Sequence, residues 1–239
     1  MKRISHPGRL AFGLGLAGGL LGSWIGSRRR CQAPDLPDAV AWRKALAETQ
    51  GEVKAAVWLA RARVAFADLK AAAPRFESGA LGEHLAGNIL PVLALYRTLR
   101  ASGFEQADAL NVLEPVVQAG FKARPTFQLA RLTRHLPAPF EALRTFMPIA
   151  LRRFPPQGWA IEQLENQPDH INFDISRCFY VDVLAAYGAP ELCPLFCHAD
   201  DLLMAEASPQ IKWARTGTLA QGAERCDFRW ERQPEAEVA

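Results

Sequence analysis

The chain has 239 residues, 49% of them hydrophobic and 22% charged, enough apolar material to bury a substantial core. Its net charge of +3 is unevenly placed: residues 1–30 carry six basic groups and no acid, leaving 22 basic against 25 acidic groups in the other 209. A body of net charge −3, with no arginine-rich stripe and no aromatic-basic interleave, speaks against nucleic acid as a partner.

The first element in chain order is Leu10 to Ile25, uncharged and mostly apolar, with arginines on both sides. As a helix it would be about 25 Å long, just short of a hydrocarbon core. Gly15/Gly19, Gly18/Gly22 and Gly22/Gly26 are spaced for close helix approach in a membrane. The spacing therefore predicts a transmembrane or interfacial anchor, attached through residues 10–26. The Arg28–Arg30 triplet favours a cytoplasmic body. A cleaved secretory signal fits less well, because no small-x-small cleavage site follows, and a disordered tail of a soluble protein is the third reading. Residues 1–33 are expected to form this leader or anchor. Residues 38–233 are expected to form one domain, with a helical part over 38–154 and a sheet part over 155–233.

Residues 31–37 read as a linker. Val53, Val57, Trp58, Val64 and Leu69 fit an apolar helical stripe, which Pro74 ends. Ala80 to Ala101 is a second helix that Pro91 should kink, with Gly103 as its cap. Gln106 to Ala119 and Pro137 to Phe154 complete the helical half. The period then changes. Trp159 to Glu165 and Ile171 to Arg177 read as strands joined across Asn166–Asp169. Ile171, Phe173 and Ile175 alternate with Asn172, Asp174 and Ser176, which puts Cys178 on the polar parity. Tyr180 to Tyr187 is a helix closed by Gly188, and another starts at Pro190 or Pro194 and runs to about Ala207. Ile211 to Leu219 and Cys226 to Glu231 read as an antiparallel pair. The fold class expected is α+β: an N-terminal helical half followed by a small antiparallel sheet with packed helices.

Four of the five cysteines lie between 178 and 226. No Cys-x2-Cys pair exists, so zinc-ribbon and thioredoxin-like readings fail on spacing. With Pro194 at the first helical position, Cys197 falls in the first turn, where the helix dipole makes a thiolate more available. Cys193 and Asp200 lie one turn before and one turn after it. Cys178 sits where a strand passes into a helix, and Cys226 and Asp227 open a strand after a glycine turn. Thr218 offers a hydroxyl that can position a substrate. His198 lies about 100° round the helix from Cys197, on a different face. His84, His135 and His170 read as satisfied polar residues. Three cysteines with an aspartate also make a reasonable zinc set, and spacing alone does not separate that from catalysis. No cofactor is read from the sequence.

The stretch from about 172 to 230 resembles the L-2-amino-thiazoline-4-carboxylic acid hydrolase family. The likeness is carried by Cys178, Glu191-Leu192-Cys193-Pro194, Cys197-His198-Ala199-Asp200, Thr218-Leu219-Ala220, and Gly222 with Arg225-Cys226-Asp227-Phe228; Pro91 to Phe104 resembles the family's helical part. The resemblance implies hydrolytic opening of a small cyclic 2-amino-thiazoline, a hydrolase acting on carbon–nitrogen bonds other than peptide bonds. Cys197 or Cys178 would be the nucleophile, Asp200 or Asp227 the acid/base, and Arg177 or Arg225 the clamp for the substrate carboxylate, with Cys226 and Thr218 at the same site. Two rivals stand beside this reading. One is a non-catalytic, membrane-tethered module that binds a small ligand or metal; the other is a redox protein whose cysteines cycle between thiol and disulfide.

Overall fold

Helix comes first in the chain and sheet second. The computed structural model describes residues 35–234. The helices are α1 (Ala39–Gln50), α2 (Glu52–Ala72), α3 (Gly79–His84), α4 (Leu90–Ala101), α5 (Gln106–Ala123), α6 (Pro125–Leu132) and α7 (Pro139–Leu151). Then follow β1 (Trp159–Asn166), β2 (His170–Cys178), α8 (Phe179–Ala186), α9 (Cys193–Glu206), β3 (Ile211–Ala214) and β4 (Cys226–Arg232). This is the expected α+β order.

Among the described residues no helix is long and apolar enough to cross a membrane. The longest, α2, carries Glu52, Lys54, Arg61, Arg63, Asp68 and Lys70 within its 21 residues. The expected transmembrane helix and membrane-anchored location are corrected accordingly; residues 10–26, on which they were placed, lie outside the described residues.

The helical half is built round α4, whose sequence LPVLALYRTLRA is apolar on nearly every side and buried from Leu90 through Tyr96. A helix apolar all round must sit inside others. α2 faces it with Ala55, Trp58, Ala62 and Phe66, all buried at helical spacing. The small alanines let the two backbones approach. The expected stripe on α2 is displaced: Val53, Val57 and Val64 are exposed.

Two prolines show how the chain tolerates a missing N–H. Pro91 leaves the Gly87 carbonyl without a helical donor. The turn before it widens into a π-helix over Leu85–Ile89, and Arg124 Nη2 donates to that carbonyl at 3.3 Å. Pro148 inside α7 frees the Arg144 carbonyl, which accepts from Asn166 Nδ2 at 3.1 Å. α6 was not anticipated from the sequence. It and the turn after it hold the far end of α9: Arg134 donates to the carbonyls of Ala205 and Glu206, both at 2.8 Å.

The sheet is antiparallel in the order β1-β2-β4-β3. Ile171, Phe173 and Ile175 of β2 stand opposite Trp230, Phe228 and Cys226 of β4, which puts them on one face. Asn172 and Asp174 share the other face with Arg229 and Asp227. Two irregularities interrupt the β1–β2 ladder. In the first, Ile161 pairs with Ile175 but Ala160 already pairs with Arg177, so β2 holds one extra residue. In the second, β1 holds the extra residue between Glu162 and Glu165, where Gln163 takes a φ of 54°. β3 is only four residues long. The strand expected over Ile211–Leu219 stops at Ala214; Arg215 to Thr218 form a loop and Leu219–Gln221 a short 3-10 turn.

Where α5 crosses α1, Gly120 admits Trp42. A Cβ at Gly120 would lie 2.4 Å from Trp42 Nε1 and 3.1 Å from Asp38 Cβ. Trp42 is 1% exposed, so it has little room to retreat. Gly120→Ala is expected to destabilise the protein by about 1–3 kcal/mol through overpacking, read as a lowered urea midpoint. An unchanged midpoint would mean that the indole moves freely.

Candidate active site

The four described cysteines are free thiols and meet where the sheet passes into α8 and α9. Negative charge on Cys197 acts on Cys178, Cys193 and Cys226. Residues up to 48 positions apart in sequence thus share one electrostatic neighbourhood.

The extra residue in β2 brings Cys178 there. Strict alternation would place it on the face of Asp174, but the register pairs Cys178 with buried Trp159 and so turns it to the side of Ile175 and Cys226. It is also the N-cap of α8. A helix start favours a thiolate, although this sulfur makes no capping hydrogen bond. Burial nevertheless pushes this thiol up. Cys226 accepts from the Leu219 N–H at 3.2 Å, and burial pushes it up to about 11. Cys193, 2% exposed, is pushed up most, first by its hydrogen bond to Cys197 and then by burial.

Cys197 differs. Its thiol is pulled below the ordinary value, first because the Cys193 thiol donates to it, with help from Arg215 and the Thr218 hydroxyl against burial and the Asp200 charge. The expected cause was the helix N-terminus. In the structure α9 begins at Cys193, so Cys197 opens the second turn; the neighbouring thiol takes over the role given to the dipole.

Asp200 lies one turn beyond Cys197. Part of its side chain stays open to solvent, but burial of the carboxyl raises its pKa to about 6 against the opposing pull of Arg215. Arg215 is the residue that sequence reasoning missed. Its side chain is 5% exposed. Nη1 donates to Asp200 Oδ2 at 3.0 Å, and Nη2 to the Cys197 carbonyl at 2.8 Å and to Asp201 at 2.9 Å. The guanidinium also sits over the Trp213 and Phe228 rings. Thr218 is buried, with its hydroxyl 2.9 Å from Gln221 Oε1. His198 turns away toward Glu114 of α5.

Three other expected residues are not brought to the thiols. Asp227 is on the opposite sheet face from Cys226. It accepts from the Thr216 N–H at 2.9 Å, the Gly217 N–H at 2.9 Å and the Thr216 hydroxyl at 2.8 Å. These bonds overcome burial and hold its carboxyl below the usual range. Its work is to fix the loop that carries Arg215 and Thr218. Arg225 pairs with buried Asp174 at 3.1 Å on that same face, beside Arg229. Arg177 donates to the Pro156 carbonyl and is exposed.

Among the described residues no group of three or more His, Cys, Asp or Glu side chains is disposed to hold a metal ion. The arrangement defines a class: an α+β domain in which four free thiols share one neighbourhood and, within a helical turn, a thiol pulled below its ordinary value stands next to a carboxyl pushed above its own. The chain belongs to the L-2-amino-thiazoline-4-carboxylic acid hydrolase family, whose sequence model matches residues 83–230, more than half of it. No curated protein and no solved structure matches the chain. The match runs from the end of α3 into β4 and so includes all four described thiols.

Iodoacetamide at neutral pH is expected to label Cys197 ahead of Cys178, Cys193 and Cys226, as peptide mass spectrometry would read. Cys193→Ala removes the thiol donor; each unit by which the Cys197 pKa then rises costs up to about tenfold in thiolate and in labelling rate. Unchanged labelling in that variant would deny Cys193 its part.

Proposed function

We propose that this hydrolase opens the ring of a small cyclic amidine of the 2-amino-thiazoline-4-carboxylate kind, cutting a carbon–nitrogen bond at the carbon held between nitrogen and sulfur. One observation carries the reading. Within a single turn of α9, Cys197 is pulled down and Asp200 is pushed up to about 6. Opposite shifts on neighbouring groups mark a nucleophile and an acid.

In this reading the Cys197 thiolate adds to the amidine carbon and forms a carbon–sulfur bond. The tetrahedral adduct collapses by releasing the ring nitrogen, which takes the Asp200 proton as it leaves. The Asp200 carboxylate then accepts a proton from the water that attacks the Cys197-bound carbon. Expulsion of the thiolate restores both groups. Arg215 serves as a positioning residue, tying Asp200 to the Cys197 backbone. Cys226 and Cys178 stay protonated and shape the wall.

Cys197→Ser is expected to abolish ring opening while leaving the thermal midpoint close to that of the parent. Full activity would remove this thiolate from the mechanism, and Cys178 would take its place. The pH dependence follows from the acid role. Asp200 must hold its proton, so kcat/KM should fall as pH rises through about 6. Asp200→Asn should lower the rate on the order of a hundredfold or more and erase that limb. A limb near pH 6 that survives in Asp200→Asn would assign it to another group.

A further inference from the structure

Behind the thiols runs a chain of hydrogen bonds whose direction is fixed at both ends. The Arg153 carbonyl can only accept, so His84 Nε2, 2.9 Å away, carries the ring proton. His84 Nδ1 is then a bare lone pair, and burial lowers the pKa of the ring, favouring the neutral form. The Tyr180 hydroxyl, 2.9 Å from Nδ1, must donate to it. At the other end Arg124 Nη1 lies 2.5 Å from Asn88 Oδ1, which sets the orientation of that amide. Asn88 Nδ2 therefore donates to the Tyr180 oxygen at 2.8 Å, and it also faces His84 Nδ1 at 3.4 Å. Arg124 is anchored by Asp38 at 2.6 Å. Asn88 belongs to the π-helical turn before α4, a distortion that recurs at functional sites.

Tyr180 stands beside the proposed site. It follows Cys178 by two residues, and its ring centroid is 4.9 Å from that of Phe196, the residue before Cys197. Charges on Cys178 and Asp200 act on its hydroxyl. The residue is partly exposed, although burial is the main influence on its hydroxyl. Its proton is committed to His84 and one lone pair to Asn88, so a single lone pair remains.

We infer that Tyr180 is a specificity-determining residue whose oxygen accepts an N–H of a cationic amidine, with His84 as the positioning residue that keeps its proton turned away. The inference rests on the hydrolase reading above and deepens it. A ring bearing an amino group at the attacked carbon presents N–H to this lone pair, and its positive charge suits the Cys197 thiolate. A ring bearing a carbonyl there sets oxygen against oxygen and is rejected.

The test compares 2-amino-thiazoline-4-carboxylate with 2-oxo-thiazolidine-4-carboxylate. For each, the concentration that halves the initial rate of Cys197 alkylation is measured in the parent, Tyr180→Phe and His84→Leu proteins, with turnover followed separately. The parent should prefer the amino ring by about tenfold or more, as loss of a hydrogen bond to a charged group implies. Tyr180→Phe, which keeps the aromatic ring, should bring the ratio near one. In His84→Leu the hydroxyl is freed to turn its proton outward, and the preference should reverse. A merely structural role for His84 would weaken both ligands together. If His84→Leu does not fold, Tyr180→Phe decides alone. An unchanged ratio in Tyr180→Phe, or a parent that binds both rings equally, overturns the inference. A Tyr180-dependent preference without turnover of either ring would uphold it while removing the hydrolase reading.

Discussion

Arg215 joins the two parts from which the site is made. One part is α9, with Cys197 and Asp200; the other is the loop after β3. A guanidinium that is nearly inaccessible must have its donors and its charge satisfied. Here Asp200, Asp201 and the Cys197 carbonyl do so, and two aromatic rings cover its faces. The cation fixes the distance between helix and loop. It also bears on the chemistry, since it favours the Cys197 thiolate and restrains the upward shift of Asp200.

Burial alone would make all four thiols equally inert. The difference comes from what each sulfur receives. Cys178 stands at the start of α8, yet its burial prevails. Cys226 has one backbone donor. Cys197 has a thiol donor, a nearby cation and a hydroxyl. A proton shared between Cys193 and Cys197 settles on Cys193, which becomes the poorer acid so that its neighbour can be the better one. Asp227 contributes at one remove, by holding the loop in the conformation that presents Arg215 and Thr218.

The order of elements and the alternation on β2 could be read from periodicity because burial enforces it. Cys197 and Asp200 could be paired because helical spacing is rigid. The rest depended on events that leave little mark in the letters. A single extra residue in β2 reverses the side on which Cys178 lies, and nothing in Ser176-Arg177 announces it. Arg215, within Trp213-Ala214-Arg215-Thr216, looks like the exposed member of a strand; only the early end of β3 and the approach of α9 at Cys197 to Asp201 reveal that it is enclosed. Tyr180 is 92 residues from Asn88 and 96 from His84, and each alone reads as an ordinary polar residue. The valines of α2 misled because the buried face is set by Ala55, Trp58, Ala62 and Phe66, which leaves Val53, Val57 and Val64 on the exposed side. Arg177 and Arg225 adjoin motif cysteines in sequence, but neighbours on a strand point to opposite faces.

The two irregular ends of the sheet bear on how the molecule behaves in a crowd of its own copies. β1 and β3 are the outer strands, and an outer strand offers unpaired N–H and carbonyl groups to any extended chain. β1 is interrupted at Gln163, where the positive φ breaks the run of evenly spaced groups. β3 is too short to template a long pairing. The same departures from regularity that aim side chains thus also blunt both margins against stacking into cross-β assemblies.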